Sequence, residues 1–86
     1  MQSKYIVYKL GTREMMHIFP VTETHKVIAS RIAGPLSPII SAGFIMANEK
    51  GSYCYGESET LEKRCRQKED TAMLEKMGFL ISQYTD

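Results

Sequence analysis

The chain has 86 residues, 43% of them hydrophobic and 24% charged, with 11 basic side chains against 10 acidic ones for a net charge of +1. That length holds one domain (1–86) with one modest core, and the composition excludes a disordered tail, a collagen-like repeat and a disulfide-dense scaffold. A balance this near neutrality sets up no overall field, so neither nucleic acid nor a membrane is an expected partner.

Lys4-Tyr5-Ile6-Val7-Tyr8-Lys9-Leu10 is rich in β-branched and aromatic residues and reads as a strand. Gly11-Thr12-Arg13 reads as a three-residue turn, and Glu14-Met15-Met16-His17-Ile18-Phe19 as the return strand. Pro20 ends it, because proline has no N–H to give a ladder. A helix is expected over residues 23–33, capped by Thr22, with Val27, Ile28 and Ile32 as its apolar stripe and Gly34-Pro35 as its stop. A second hairpin follows: Ile40-Ser41-Ala42-Gly43-Phe44-Ile45-Met46-Ala47, a turn at Asn48-Glu49-Lys50-Gly51, then Ser52-Tyr53-Cys54-Tyr55-Gly56-Glu57. Residues 58–67 carry no firm period, although Thr60-Leu61-Glu62-Lys63 fits one helical turn. The last helix is expected over residues 68–77, with Glu69 and Asp70 in its first turn and Lys76 in its last. Gly78 would stop it, with Phe79 folding back on Leu74. The order is ββαββα, which predicts an α+β fold: one four-stranded, mostly antiparallel sheet with both helices on one face.

Turn lengths set registers, and registers decide which side chains share a face. With a three-residue first turn, Leu10 opposes Glu14, so Ile6, Tyr8, Leu10, Met16 and Ile18 share a face. Tyr5, Val7, Lys9, Met15, His17 and Phe19 then take the reverse. In the second hairpin Ala47 opposes Ser52, which groups Phe44, Met46, Tyr53 and Tyr55 opposite Gly43, Ile45, Cys54 and Gly56. Strands with one solvated face alternate apolar with polar, and these do not. Two helices on one side would leave an apolar and aromatic face in water, and such patches mark interaction surfaces. Phe44, Met46, Tyr53 and Tyr55 are therefore the candidate interface, with the small-residue face under the helices and a homodimer as the expected assembly. The opposing assignment makes these aromatics core and turns the small-residue face to solvent.

Chemistry-bearing patterns are sparse. The sequence has no phosphate-binding glycine loop, no dinucleotide fingerprint and no HExxH. His17 and His25 are the only imidazoles, too few to define a metal site, so no metal, cofactor or catalytic residue is assigned. Cys54 and Cys65 are expected as free thiols. Cys54 reads as a packed small hydrophobe, whereas Cys65, between Arg64 and Arg66, is the better candidate for a lowered pKa. Lys63-Arg64-Cys65-Arg66-Gln67-Lys68 is the one basic cluster. It suggests an alternative function, small-ligand or anion binding by Tyr55, Glu57, Arg64 and Arg66 where the sheet meets the loop.

No window of 18 apolar residues occurs, and Met1-Gln2-Ser3-Lys4 lacks the core of a signal peptide, so a cytoplasmic setting is expected. Three stretches carry a resemblance. They are Lys4-Tyr5-Ile6-Val7 with Ile18-Phe19-Pro20; Ser41-Ala42-Gly43-Phe44; and Cys54-Tyr55-Gly56-Glu57-Ser58 with Glu69-Asp70-Thr71-Ala72-Met73-Leu74. Their order resembles small proteins encoded by prophages and integron gene cassettes, for which no activity is assigned. The chain departs from that pattern before the last helix. Cys65-Arg66-Gln67-Lys68-Glu69-Asp70 stands where a Ser-Arg-Pro-Glu-Asp opening is expected, one residue longer and without the proline. The resemblance implies a mobile-element origin and no chemistry. The reading as a whole is a non-enzymatic interaction module that self-associates or docks a cellular protein through its aromatic sheet face.

Overall fold

The computed structural model describes residues 2–32, 38–49 and 51–77. Its four-stranded antiparallel sheet is built from β1 (Gln2–Leu10), β2 (Arg13–Phe19), β3 (Ile39–Asn48) and β4 (Gly51–Tyr55), in the spatial order β2-β1-β3-β4. Helix α1 (His25–Ile32) lies in the chain between β2 and β3, and α2 (Gln67–Lys76) is the last element among the described residues. The α+β class, the antiparallel sheet and the pair of helices are as expected. Between β4 and α2 lies a small ribbon of β5 (Glu57–Ser58) and β6 (Lys63–Arg64), where the sequence offered a helical turn. The Gly34-Pro35 and Gly78-Phe79 stops lie outside the described residues. No helix among those described is long and apolar enough to cross a membrane.

The first hairpin corrects the sequence reading. Leu10 faces Arg13, not Glu14, so its turn is the two residues Gly11-Thr12. Gly11 has φ +66° while Thr12 stays at negative φ, the pattern of a tight hairpin turn with glycine at its first central position. Shortening the turn by one residue turns β2 over. Tyr5 therefore pairs with Ile18 and Val7 with Met16 on one face, and Ile6 pairs with His17 and Lys4 with Phe19 on the other. In the second hairpin Ala47 does face Ser52, which groups Phe44, Met46, Tyr53 and Tyr55 together.

The two helices lie on opposite faces of the sheet, not on one. Leu74 of α2 packs with Tyr5, Val7, Met16, Ile45 and Cys54, so the small-residue face of the second hairpin lies under α2. Ile28 and Ala29 of α1 pack on the reverse with Ile6, Phe19 and Ala42. Both faces of β1 are apolar because both are covered, and Tyr5, Ile6 and Val7 are fully buried. Each such side chain contributes about 1.5–3 kcal/mol relative to exposure. Helix α1 starts two residues later than expected. Thr24 is its cap, accepting the Val27 N–H at 3.2 Å, and the buried side is His25, Ile28 and Ala29, with Val27 and Ile32 exposed.

Candidate functional site

Phe44, Met46, Tyr53 and Tyr55 form one surface on β3 and β4, beside the area that α1 covers. Phe44 stacks on Tyr55 with ring centroids 5.6 Å apart, and Tyr55 meets Tyr53 at 5.8 Å. Tyr53 is 41% exposed; the other three are half-buried. The Gln2 side-chain amide donates to the Tyr55 hydroxyl and ties that ring to the start of β1. Stacked aromatics bury one another's flanks and keep an outer apolar face, the composition of an interface core.

The row of rings continues inward. Phe44 meets His25 edge-on at 5.6 Å, His25 meets Phe19 at 5.5 Å, and Phe19 stacks on His17 at 6.1 Å. His25 is buried at the start of α1, and its Nε2–H donates to the Gly43 carbonyl at 2.8 Å. Burial holds its pKa below the ordinary value, against the carbonyl's pull upward, and the nearby Lys4 charge adds to the lowering. An unfolded imidazole takes its proton near pH 6.5 and the folded one resists it. The folded state's advantage is therefore complete above about pH 6.5 and is lost as the pH falls below it. Thermal melts between pH 7 and pH 5 should show falling stability, and His25→Gln, whose amide N–H has the reach of Nε2 toward the Gly43 carbonyl but cannot titrate, should flatten that dependence.

Beyond Tyr55 the chain turns at Gly56, whose φ of +78° suits glycine. A side chain there would also meet the Phe44 ring at 3.0 Å, so glycine lets Phe44 lie flat against the turn. Two surface hollows share Glu57 in their linings. One, of about 280 Å³, lies between Tyr55, Glu57, Arg64 and Gln67. The other, of about 290 Å³, lies between Phe44, His25, Lys4 and residues 57–60. Lys4 donates to the Glu23 carbonyl at 2.8 Å, tying the first strand to the chain entering α1.

Of the residues grouped for anion binding, the structure brings Tyr55, Glu57 and Arg64 together and places Arg66 elsewhere. Arg64 has the Glu57 carboxylate 4.0 Å away, and both are largely exposed. The Arg66 guanidinium is 2.9 Å from Glu14 and 2.8 Å from Asp70, and these hydrogen bonds raise its pKa further. Glu14 is correspondingly held below the usual carboxylate range. One arginine beside a carboxylate is a poor anion cradle.

The thiols are also placed differently from the expectation for Cys65. Both cysteines are unbridged. With Arg66 committed to carboxylates, Cys65 packs against the Tyr5 cluster, where burial pushes its pKa up instead of down. Burial pushes Cys54 up to about 12. Neither is an activated nucleophile.

Gln2 and Gly56 border this surface and the buried His25 backs it, and none of the three is among the residues the sequence reading grouped there. Gly56 directly after an aromatic strand was the available signal. Among the described residues no group of three His, Cys, Asp or Glu side chains is placed to hold a metal ion. The chain matches no protein-family model, no curated protein and no solved structure.

Proposed function

We propose that this chain is a non-enzymatic protein-interaction module whose working surface is the aromatic face of β3 and β4. The carrying observation is the surface itself: Phe44, Met46, Tyr53 and Tyr55 share one face and none is fully buried, with Gln2, Glu57 and Arg64 as a polar rim. An apolar centre with a polar rim is the anatomy of a protein contact.

The shape of this surface favours a cellular protein over a second copy at this face. An isologous contact must be complementary to itself. Here cavities of about 280 and 290 Å³ open beside Tyr55 and Phe44, and hollow against hollow leaves voids. A partner with protruding apolar or aromatic side chains fills them. The mobile-element origin and the cytoplasmic setting belong to the same proposal and rest on the sequence.

A photo-crosslinking amino acid at Tyr53, introduced in bacterial cells, tests the reading. One discrete adduct with a second protein is expected, and Tyr55→Glu should abolish it. An adduct only with a second copy would make this face a homodimer contact, and no adduct at all would overturn the reading.

A further inference from the structure

The sheet has two edges, and the structure treats them differently. Two-residue turns close with a narrow, doubly hydrogen-bonded pair, after which such pairs alternate with wide ones. In the second hairpin the closing pair is Asn48 with Gly51, so Ser52 and Cys54 turn their backbone groups outward from β4. There α2 guards the edge: the Cys54 N–H donates to the Thr71 hydroxyl at 3.0 Å. In the first hairpin the closing pair is Leu10 with Arg13, so Arg13, Met15, His17 and Phe19 bond to β1. The N–H and C=O groups of Glu14, Met16 and Ile18 then point away from the sheet. Among the described residues no backbone bond outside the ladders reaches them, and no side chain does.

Proteins blunt free edges with lysine, proline, bulges or very short strands. β2 has seven residues, no lysine and no proline, and its register with β1 is unbroken. We propose that β2 pairs antiparallel with β2 of a second copy about a two-fold axis at Met16. In that register Met16 faces its own copy and Glu14 faces Ile18, so each outward N–H and C=O finds a partner. Arg13 faces Phe19 of the second copy, where a guanidinium can lie against the ring, and no like charges meet. Glu14 is already neutralised by Arg66, so its place opposite Ile18 leaves no free carboxylate. The axis stands perpendicular to the sheet, which becomes eight-stranded. Both aromatic faces then lie on one side, about 30 Å apart at roughly 4.8 Å per strand.

The test needs two measurements on the wild-type chain and two variants. Light scattering should give twice 9.8 kDa. Residue-resolved amide exchange should show Glu14, Met16 and Ile18 as slow as their neighbours bonded to β1. Tyr53→Glu should leave the mass doubled. Met16→Pro removes an outward N–H and no bond to β1, so it should halve the mass; if its loss of packing unfolds the chain, Glu14→Pro makes the same test at an exposed position. A monomeric wild type, rapid exchange at those three amides, or a dimer dissolved by Tyr53→Glu would each overturn the proposal. Slow exchange in a monomer would overturn it too, since the chain would then cover its own edge. A monomeric wild type or rapid exchange on β2 leaves the Tyr53 crosslink to a second protein untouched, whereas a dimer dissolved by Tyr53→Glu would move the contact between copies to the aromatic face, so the two readings fail distinguishably.

Discussion

Asp70→Ala should be the most damaging single substitution in the described chain, lowering stability by about 3–5 kcal/mol, the cost of removing one partner from a buried charged pair. Asp70 is fully buried in the first turn of α2. One carboxylate oxygen accepts the Tyr5 hydroxyl at 2.6 Å and the Arg66 N–H at 3.0 Å. The other accepts the Arg66 guanidinium at 2.8 and 3.1 Å. The same carboxylate thus caps the helix, pins α2 to the central strand β1 and neutralises an arginine that also reaches Glu14 on β2. Alanine leaves a buried hydroxyl, a free helix-end N–H and a half-buried guanidinium without that partner. A chain of this size has about 4–13 kcal/mol in total, so the variant should sit near the edge of folding. Urea melts would measure the loss. Tyr5→Phe in the Asp70→Ala background should cost less than Tyr5→Phe alone, because the hydroxyl it removes is already orphaned. Additive costs would show that the two side chains are not coupled.

Little of this network could be read from the chain. Asp70 and Tyr5 are 65 positions apart, and an aspartate in a first helical turn is fully accounted for by the helix dipole. The second hairpin was legible because its turn and alternation agree, so Phe44, Met46, Tyr53 and Tyr55 were grouped correctly. The first hairpin differs from its expected register by one residue. Gly11-Thr12 is a sufficient turn by itself, and counting Arg13 into it inverted β2 relative to β1. Strands apolar on both faces ask for cover on both, which α1 and α2 supply from opposite sides. β5 and β6, at two residues each, are too short to carry a period and are held by context. The Cys65 N–H donating to the Gly56 carbonyl at 3.1 Å is part of that context.

Gly43→Ala should destabilise the chain by about 1–3 kcal/mol, the usual cost of overpacking a filled site. Its damage should also reach the aromatic surface. A methyl group at Gly43 would lie 2.6 Å from the Tyr55 carbonyl oxygen, 3.1 Å from the Cys65 side chain and 3.3 Å from the Tyr5 ring. The first contact is to backbone and cannot be relieved by a rotamer change. Alanine gains about 0.4–1 kcal/mol by restricting the unfolded chain, which offsets part of the clash but not its direction. Relief requires β4 to move from β3 at Tyr55, where Phe44 and Tyr55 are paired and stacked. It also disturbs the Gly43 carbonyl that holds His25 beside Phe44. The Tyr55 and Phe44 ring resonances should therefore shift, and crosslinking from Tyr53 should weaken, in a chain that remains folded by circular dichroism. An unchanged melt with unchanged ring shifts would mean that β3 and β4 can separate there freely, and that Gly43 does not set the position of the surface.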